Sequence, residues 1–158
     1  MMESVYLETT IASYLTARPS GNLVAAARQQ LTYQWWEQCR SKYDLYISKV
    51  VILEAIKGDP DASEKSLKLI SSIPELAINE DCLELAESFF SHADLPESAR
   101  NDALHAAIAT YHQVDFLLTW NCRYLANAHF IKKLLAITDR RGLILTHICT
   151  PEELMGGE

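Results

Sequence analysis

The sequence predicts an α/β fold, a central parallel sheet of about five strands with helices on both faces. Three observations carry that expectation. Short apolar runs recur between longer segments of helical periodicity, and runs that brief are strands rather than helices. The first of them, Ser4-Val5-Tyr6-Leu7, is apolar without strict alternation, as suits a strand covered on both faces. A segment dense in alanine, with Ala99, Ala103, Ala106, Ala107 and Ala109, offers the small side chains that let a helix lie close against a sheet.

The first strand ends at Glu8-Thr9-Thr10, where Thr9 or Thr10 is expected to cap a short helix through Tyr14 and Leu15. Pro19 and Gly21 close it. A long helix is expected over 22–41, with Leu23, Ala26, Ala27, Leu31 and Trp35 along one side. A second strand spans 44–47. Ser48 is expected to cap a helix to Lys57, and Gly58-Asp59-Pro60 to stop it and start another. A third strand is placed at 76–78, followed by a helix to about residue 91 capped by Asn79 or Asp81. After a polar loop at 94–98 comes the alanine-rich helix, 99–112. A fourth strand covers Phe116-Leu117-Leu118-Thr119, a helix runs from 126 to about 138 and stops at Arg140-Arg141-Gly142, and a fifth strand occupies 143–148. The 158 residues suit one domain, 1–158, with a real hydrophobic core.

Composition narrows the function classes. A formal charge of −7 argues against nucleic-acid binding through an overall positive field, but it suits a cluster of carboxylates gathered around divalent cations. No apolar run approaches the length of a membrane span and no basic-then-apolar leader opens the chain, so a cytoplasmic protein is expected. Cys39, Cys82, Cys122 and Cys149 lack the paired spacing of a zinc site or a disulfide scaffold and read as small buried hydrophobes.

In open parallel sheets, ligands bind outside the carboxyl ends of the strands. Glu8 stands at such an end. Glu54, among Val51, Leu53 and Ile56, either lies on the solvent stripe of its helix or points at the strand ends, where burial requires a cation. Asp102 opens the alanine-rich helix; the helix dipole alone accounts for an acid there, yet close packing of that helix would bring it to the rim where Glu8 sits. Thr119-Trp120-Asn121 ends the fourth strand at the same rim, with Asn121 bringing a neutral amide oxygen. Asp115 precedes that strand and belongs to the opposite edge. Thr10 reads either as a helix cap or as a group orienting water or phosphate. His105 reads as a hydrogen-bonded structural histidine rather than a site residue. Arg100, Arg123 and Arg18 are candidate substrate contacts or plain surface charges. Trp35 and Trp36 point about 100° apart on one helix, so with one in the core the other comes near a surface, and the helix is a candidate for a homodimer or partner interface.

Taken together, Val5-Tyr6-Leu7-Glu8-Thr9-Thr10, the Glu54 helix, Asn101-Asp102-Ala103-Leu104-His105-Ala106-Ala107 and Leu117-Leu118-Thr119-Trp120-Asn121 resemble the four ordered acidic motifs of the PIN-domain family, in its VapC-like toxin branch. The resemblance runs over nearly the whole chain. It implies a single PIN-like domain and a metal-dependent endoribonuclease, with RNA as substrate and a cognate antitoxin as partner. Carried over to this chain, it implies Mg²⁺ or Mn²⁺ held by Glu8, Glu54 and Asp102, with Asn121 at the fourth position; Arg100 and Arg123, which flank the two C-terminal motifs, and Thr10 are then the candidates for substrate contact. Two departures stand out. Glu8 occupies a position where the family usually has Asp, and Asn121 one where Asp is frequent. Three carboxylates in place of four imply one firmly held ion and a second, weaker one. A different class of function, a PIN domain that has lost turnover and serves as an RNA-binding or protein-interaction module, follows if those departures abolish cleavage.

Overall fold

The structure is a computed structural model and describes residues 1–156; Gly157 and Glu158, within the expected 1–158 domain, lie outside the described residues. Its centre is one five-stranded, all-parallel sheet in the order β3-β2-β1-β4-β5, flanked by helices as the sequence predicts. The strands are β1 (Ser4–Leu7), β2 (Asp44–Ser48), β3 (Glu75–Leu76), β4 (Phe116–Leu118) and β5 (His147–Cys149). Between them run α1 (Thr9–Thr16), α2 (Leu23–Gln38), α3 (Lys49–Ile56), α4 (Pro60–Ile70), α5 (Glu80–His92), α6 (Arg100–Tyr111) and α7 (Ala128–Arg140), and α8 (Pro151–Met155) follows β5. The chain builds outward from β1 through β2 to β3, then crosses back to lay β4 on the other side of β1 and continues to β5. The order therefore reverses between β1 and β4, and their carboxyl ends frame a topological switch point. Among the described residues no helix is long and apolar enough to cross a membrane.

The central strand β1 is buried on both faces. Val5 and Tyr6 are fully enclosed, and they pair with Leu45 and Tyr46 on one side and with Phe116 and Leu117 on the other. Helix α6 is buried almost all round, with Ala103, His105, Ala106, Ala107, Ile108 and Ala109 inaccessible. The alanines thus do what their size suggests, and they carry the first turn of α6 to the sheet rim. Cys39, Cys82 and Cys149 are buried free thiols, while Cys122 is half-buried.

Several local expectations are corrected. Helix α1 is capped by Glu8 itself, whose carboxylate accepts from Thr10 N–H, not by Thr9 or Thr10. Ser48 holds the N-cap position of α3 but makes no capping bond. Asn79, rather than Asp81, caps α5. The third strand is the pair Glu75–Leu76, because β2 ends at Ser48 and pairs no further. The fifth strand is shorter and later than 143–148: Gly142, with φ of 68°, turns the chain, and Thr146 is held off the ladder by bonds to Thr110 Oγ1 and Val114 O. The long helix ends at Gln38 and its expected apolar side is buried only in part, with Trp35 enclosed and Leu31 half-buried but Leu23 exposed. Gln29, Thr32 and Trp35 face inward, Gln29 bonding Ser20 N–H and Arg18 O, while Leu23 and Val24 stand in solvent. Of the two adjacent indoles, Trp35 is fully buried and Trp36 half-buried.

Candidate metal centre

At the β1/β4 switch point lies an open cleft of roughly 440 Å³ whose walls include Glu8, Thr9, Thr10, Glu54, Ser98, Asp102, Asn121, Arg123 and Tyr124. Each acid arrives by a different route. Glu8 is the residue after β1, its backbone N–H still bonded to Leu118 O at 3.1 Å. Glu54 comes from the last turn of α3, Asp102 from the first turn of α6, and Asn121 from the loop after β4. The topology gathers these four residues from positions spread over more than a hundred in sequence, and Glu54 resolves to the strand ends rather than to the solvent stripe.

Glu8 is 4% exposed. Its Oε1 accepts from Thr10 Oγ1 at 2.5 Å, from Thr119 Oγ1 at 2.6 Å and from Thr10 N–H at 3.2 Å; among the described residues no donor reaches its Oε2 and no ion pair includes it. A buried charge is ordinarily paired or bound to a metal. The Thr10 hydroxyl also accepts from Trp120 N–H at 2.8 Å. Thr10 does not cap α1, and on the cleft wall it supports Glu8.

Glu54 is better served. Its Oε1 accepts from Thr9 Oγ1 at 2.5 Å and meets His105 Nε2 at 2.6 Å, and its Oε2 accepts from Asn101 Nδ2 at 3.4 Å. Burial works to raise the Glu54 carboxyl, but the hydrogen bond and charge of His105, with Thr9 and Asn101, outweigh it and hold the group below the usual range. His105 is a fully enclosed, hydrogen-bonded histidine. Burial disfavours its charged form, yet the Glu54 bond and the negative field of Glu8, Glu54 and Asp102 raise its pKa. Asp102 feels the reverse balance. Burial first, then the charge of Glu8 and, to a smaller extent, Glu54 push its carboxyl up to about 6, with His105 and Asn121 opposing.

Asn121 is committed on both sides of its amide. Nδ2 donates to Asp102 Oδ1 at 2.9 Å, and Oδ1 accepts from Tyr124 N–H at 3.1 Å. The amide oxygen expected at the fourth position thus turns toward the backbone, and Asn121 clamps Asp102. Arg123 is exposed on the cleft wall, its guanidinium 5.3 Å from the Tyr124 ring centroid. Arg100 is not on that wall: it pairs with Glu87 and Glu97, both at 2.9 Å, and lies 3.9 Å over the Phe90 ring. Asp115 sits at the opposite end of the sheet, as expected, accepting from Ser4 N–H and Oγ.

Candidate ligand atoms of Glu8, Glu54 and His105 all lie within 4.8 Å of one another; Asp102 lines the same cleft. Thr9, His105, Thr119, Asn101 and Tyr124 are contributors that sequence reasoning did not assign to the site. The only sequence hint for His105 was its place one turn after Asp102. Among the described residues no lysine or arginine is ion-paired with these converging carboxylates, and such an oxygen donor set fits a hard divalent cation.

Fold and cleft together define an α/β protein with an acidic centre at the switch point of a parallel sheet. No family model matches the chain, and no curated protein sequence matches it. Among solved structures the chain is similar to one in the crystal structure of VapBC2 from Rickettsia felis bound to a DNA fragment from their promoter, with a TM-score of 0.58 and 14% identity over 92% of this chain and 97% of that one. At that identity the likeness is one of fold.

Proposed function

We propose that this protein is a metal-dependent endoribonuclease that hydrolyses RNA phosphodiesters, and that it is the toxin of a toxin–antitoxin pair. The observation that carries the nuclease reading is Glu8, a buried carboxylate with no cationic partner among the described residues, facing Glu54 and Asp102 across one cleft. The fold shared with a chain of the VapBC2 structure supports the toxin reading. Glu8, Glu54 and Asp102 would hold Mg²⁺ or Mn²⁺, which supplies charge neutralisation at the phosphodiester and lowers the pKa of water. Around it, Thr10 and Thr119 fix the Glu8 carboxylate, and Asn121 fixes Asp102 through Oδ1 and leaves Oδ2, without a protein donor among the described residues, to face the ion. Arg123 is the cation nearest at hand for a phosphate. The cleft is open enough for a flexible single strand, and Tyr124 offers a ring beside it.

A partner surface fits the same reading. Leu23, Val24, Ala27 and Leu31, with Trp120, Arg28 and Glu152, line a shallow apolar groove on α2, which we assign to an antitoxin or to a second copy in a homodimer. The nuclease reading is tested by incubating a mixed RNA pool with native protein, Glu8→Gln and Asp102→Asn in Mg²⁺, Mn²⁺ or EDTA. Cutting by the native chain in metal alone, lost in both variants, is the expected result. A native chain that binds RNA but cuts nothing in either metal would replace the nuclease by an RNA-binding module.

A further inference from the structure

Behind the cleft, four side chains from four elements form a continuous polar chain. Ser48 Oγ meets Tyr6 Oη at 2.7 Å, Tyr6 Oη meets His105 Nδ1 at 2.6 Å, and His105 Nε2 meets Glu54 Oε1 at 2.6 Å. Ser48, Tyr6 and His105 are each fully inaccessible. We infer that His105 is a positioning residue, which with Tyr6 and Ser48 behind it fixes the Glu54 carboxylate at the cleft, and that it is not itself a metal ligand. The inference rests on the metal-dependent reading proposed above and concerns how this chain builds that site.

Three observations point the same way. An ionised carboxylate only accepts hydrogen bonds, so the 2.6 Å contact places a proton on Nε2, and the nitrogen nearest the cleft has no lone pair to offer. Nδ1 is held by Tyr6, which locks the ring orientation as partners behind metal-binding groups commonly do. Ser48 sits at the N-cap of α3, where its hydroxyl would ordinarily bond the helix backbone, yet that bond is absent and the hydroxyl turns to Tyr6. A local rule is broken in order to complete the chain, and such breaks concentrate at functional sites. Apolar side chains would fill the same space without the desolvation that a buried polar network carries.

The test is Mn²⁺ binding to the full chain, measured by calorimetry and by pulsed electron paramagnetic resonance, with thermal melts to confirm folding. Native protein is expected to bind Mn²⁺ with oxygen-only coordination. His105→Ala should weaken binding about 10- to 100-fold, in keeping with losses seen for such supporting partners, and His105→Gln, whose amide can still donate to Glu54, should recover most of it. Should His105→Ala not fold, Tyr6→Phe carries the test, with binding weakened about tenfold. A directly coordinated ¹⁴N signal in the native protein overturns the inference, and so does native affinity in a folded His105→Ala or Tyr6→Phe variant. If the native chain binds no Mn²⁺, the metal reading falls and the inference with it; native binding with unaltered variants removes the inference alone.

Discussion

Asp102→Asn separates the electrostatic cost of the cleft from its use. The native carboxyl, pushed from 3.8 up to about 6, binds its proton more tightly in the folded chain than in the unfolded one. Its contribution to stability is therefore greatest at low pH, declines as pH rises from about 4 to 6, and at neutral pH the ionised group is a liability in the absence of a cation. A displacement of that size corresponds to about 3 kcal/mol, and partial exposure with solvent screening reduces this to about 1–2 kcal/mol. The amide is nearly isosteric and its oxygen can still accept from Asn121 Nδ2, so little packing is lost. For a chain of this size the gain amounts to about 2–8 °C in Tm. Thermal melts in EDTA should show the variant more stable at pH 7.5, with the difference gone at pH 4. In saturating Mn²⁺ the order should invert, because ligand at a hundred times Kd stabilises the native protein by about 2.7 kcal/mol. A variant no more stable than native at pH 7.5 in EDTA refutes the argument that uncompensated negative charge shapes this cleft.

Thr10→Val tests the other acid. It deletes one donor to Glu8 and leaves Trp120 N–H unpaired, and a loss of about 1–3 kcal/mol in urea unfolding is expected. Arg123→Ala should slow RNA cleavage by about tenfold or more, since a cation at a phosphate acts in a partly desolvated cleft, whereas Arg100→Ala, whose guanidinium is held by Glu87 and Glu97, should leave the rate within about twofold. Equal losses in both arginine variants would return Arg100 to the substrate path.

The parts of the fold legible in the sequence were those written locally. Val5-Tyr6-Leu7 and Phe116-Leu117-Leu118 announce buried strands, and the alanines of α6 announce a close-packed helix. The rule that sites form beyond strand ends pointed to Glu8 and to the rim reached by Asp102 and Asn121, but it left Glu54 open, and it was the resemblance to the PIN-domain motifs that joined Glu54 to the set. What stayed hidden depended on partners distant in sequence. Nothing near Thr10 shows that its hydroxyl will be claimed by Trp120, 110 positions away, and nothing near Ser48 shows that Tyr6 will draw its hydroxyl from the α3 cap. The α2 pattern misled because Gln29 and Thr32 turn inward to satisfy buried polar groups of the core and the 18–20 loop, leaving Leu23 and Val24 outside. Leu143-Ile144-Leu145 reads as a strand from its composition, but the turn at Gly142 and the tether of Thr146 keep it off the sheet.

Crystals of the protein soaked in Mn²⁺ and measured for anomalous scattering address the central claim most directly. The proposal requires a strong peak in the β1/β4 cleft within coordination distance of the Glu8 and Glu54 carboxylates, with Asp102 alongside and His105 still bonded to Glu54. A cleft without anomalous density at saturating Mn²⁺, or a peak only at some other acidic patch, would contradict it.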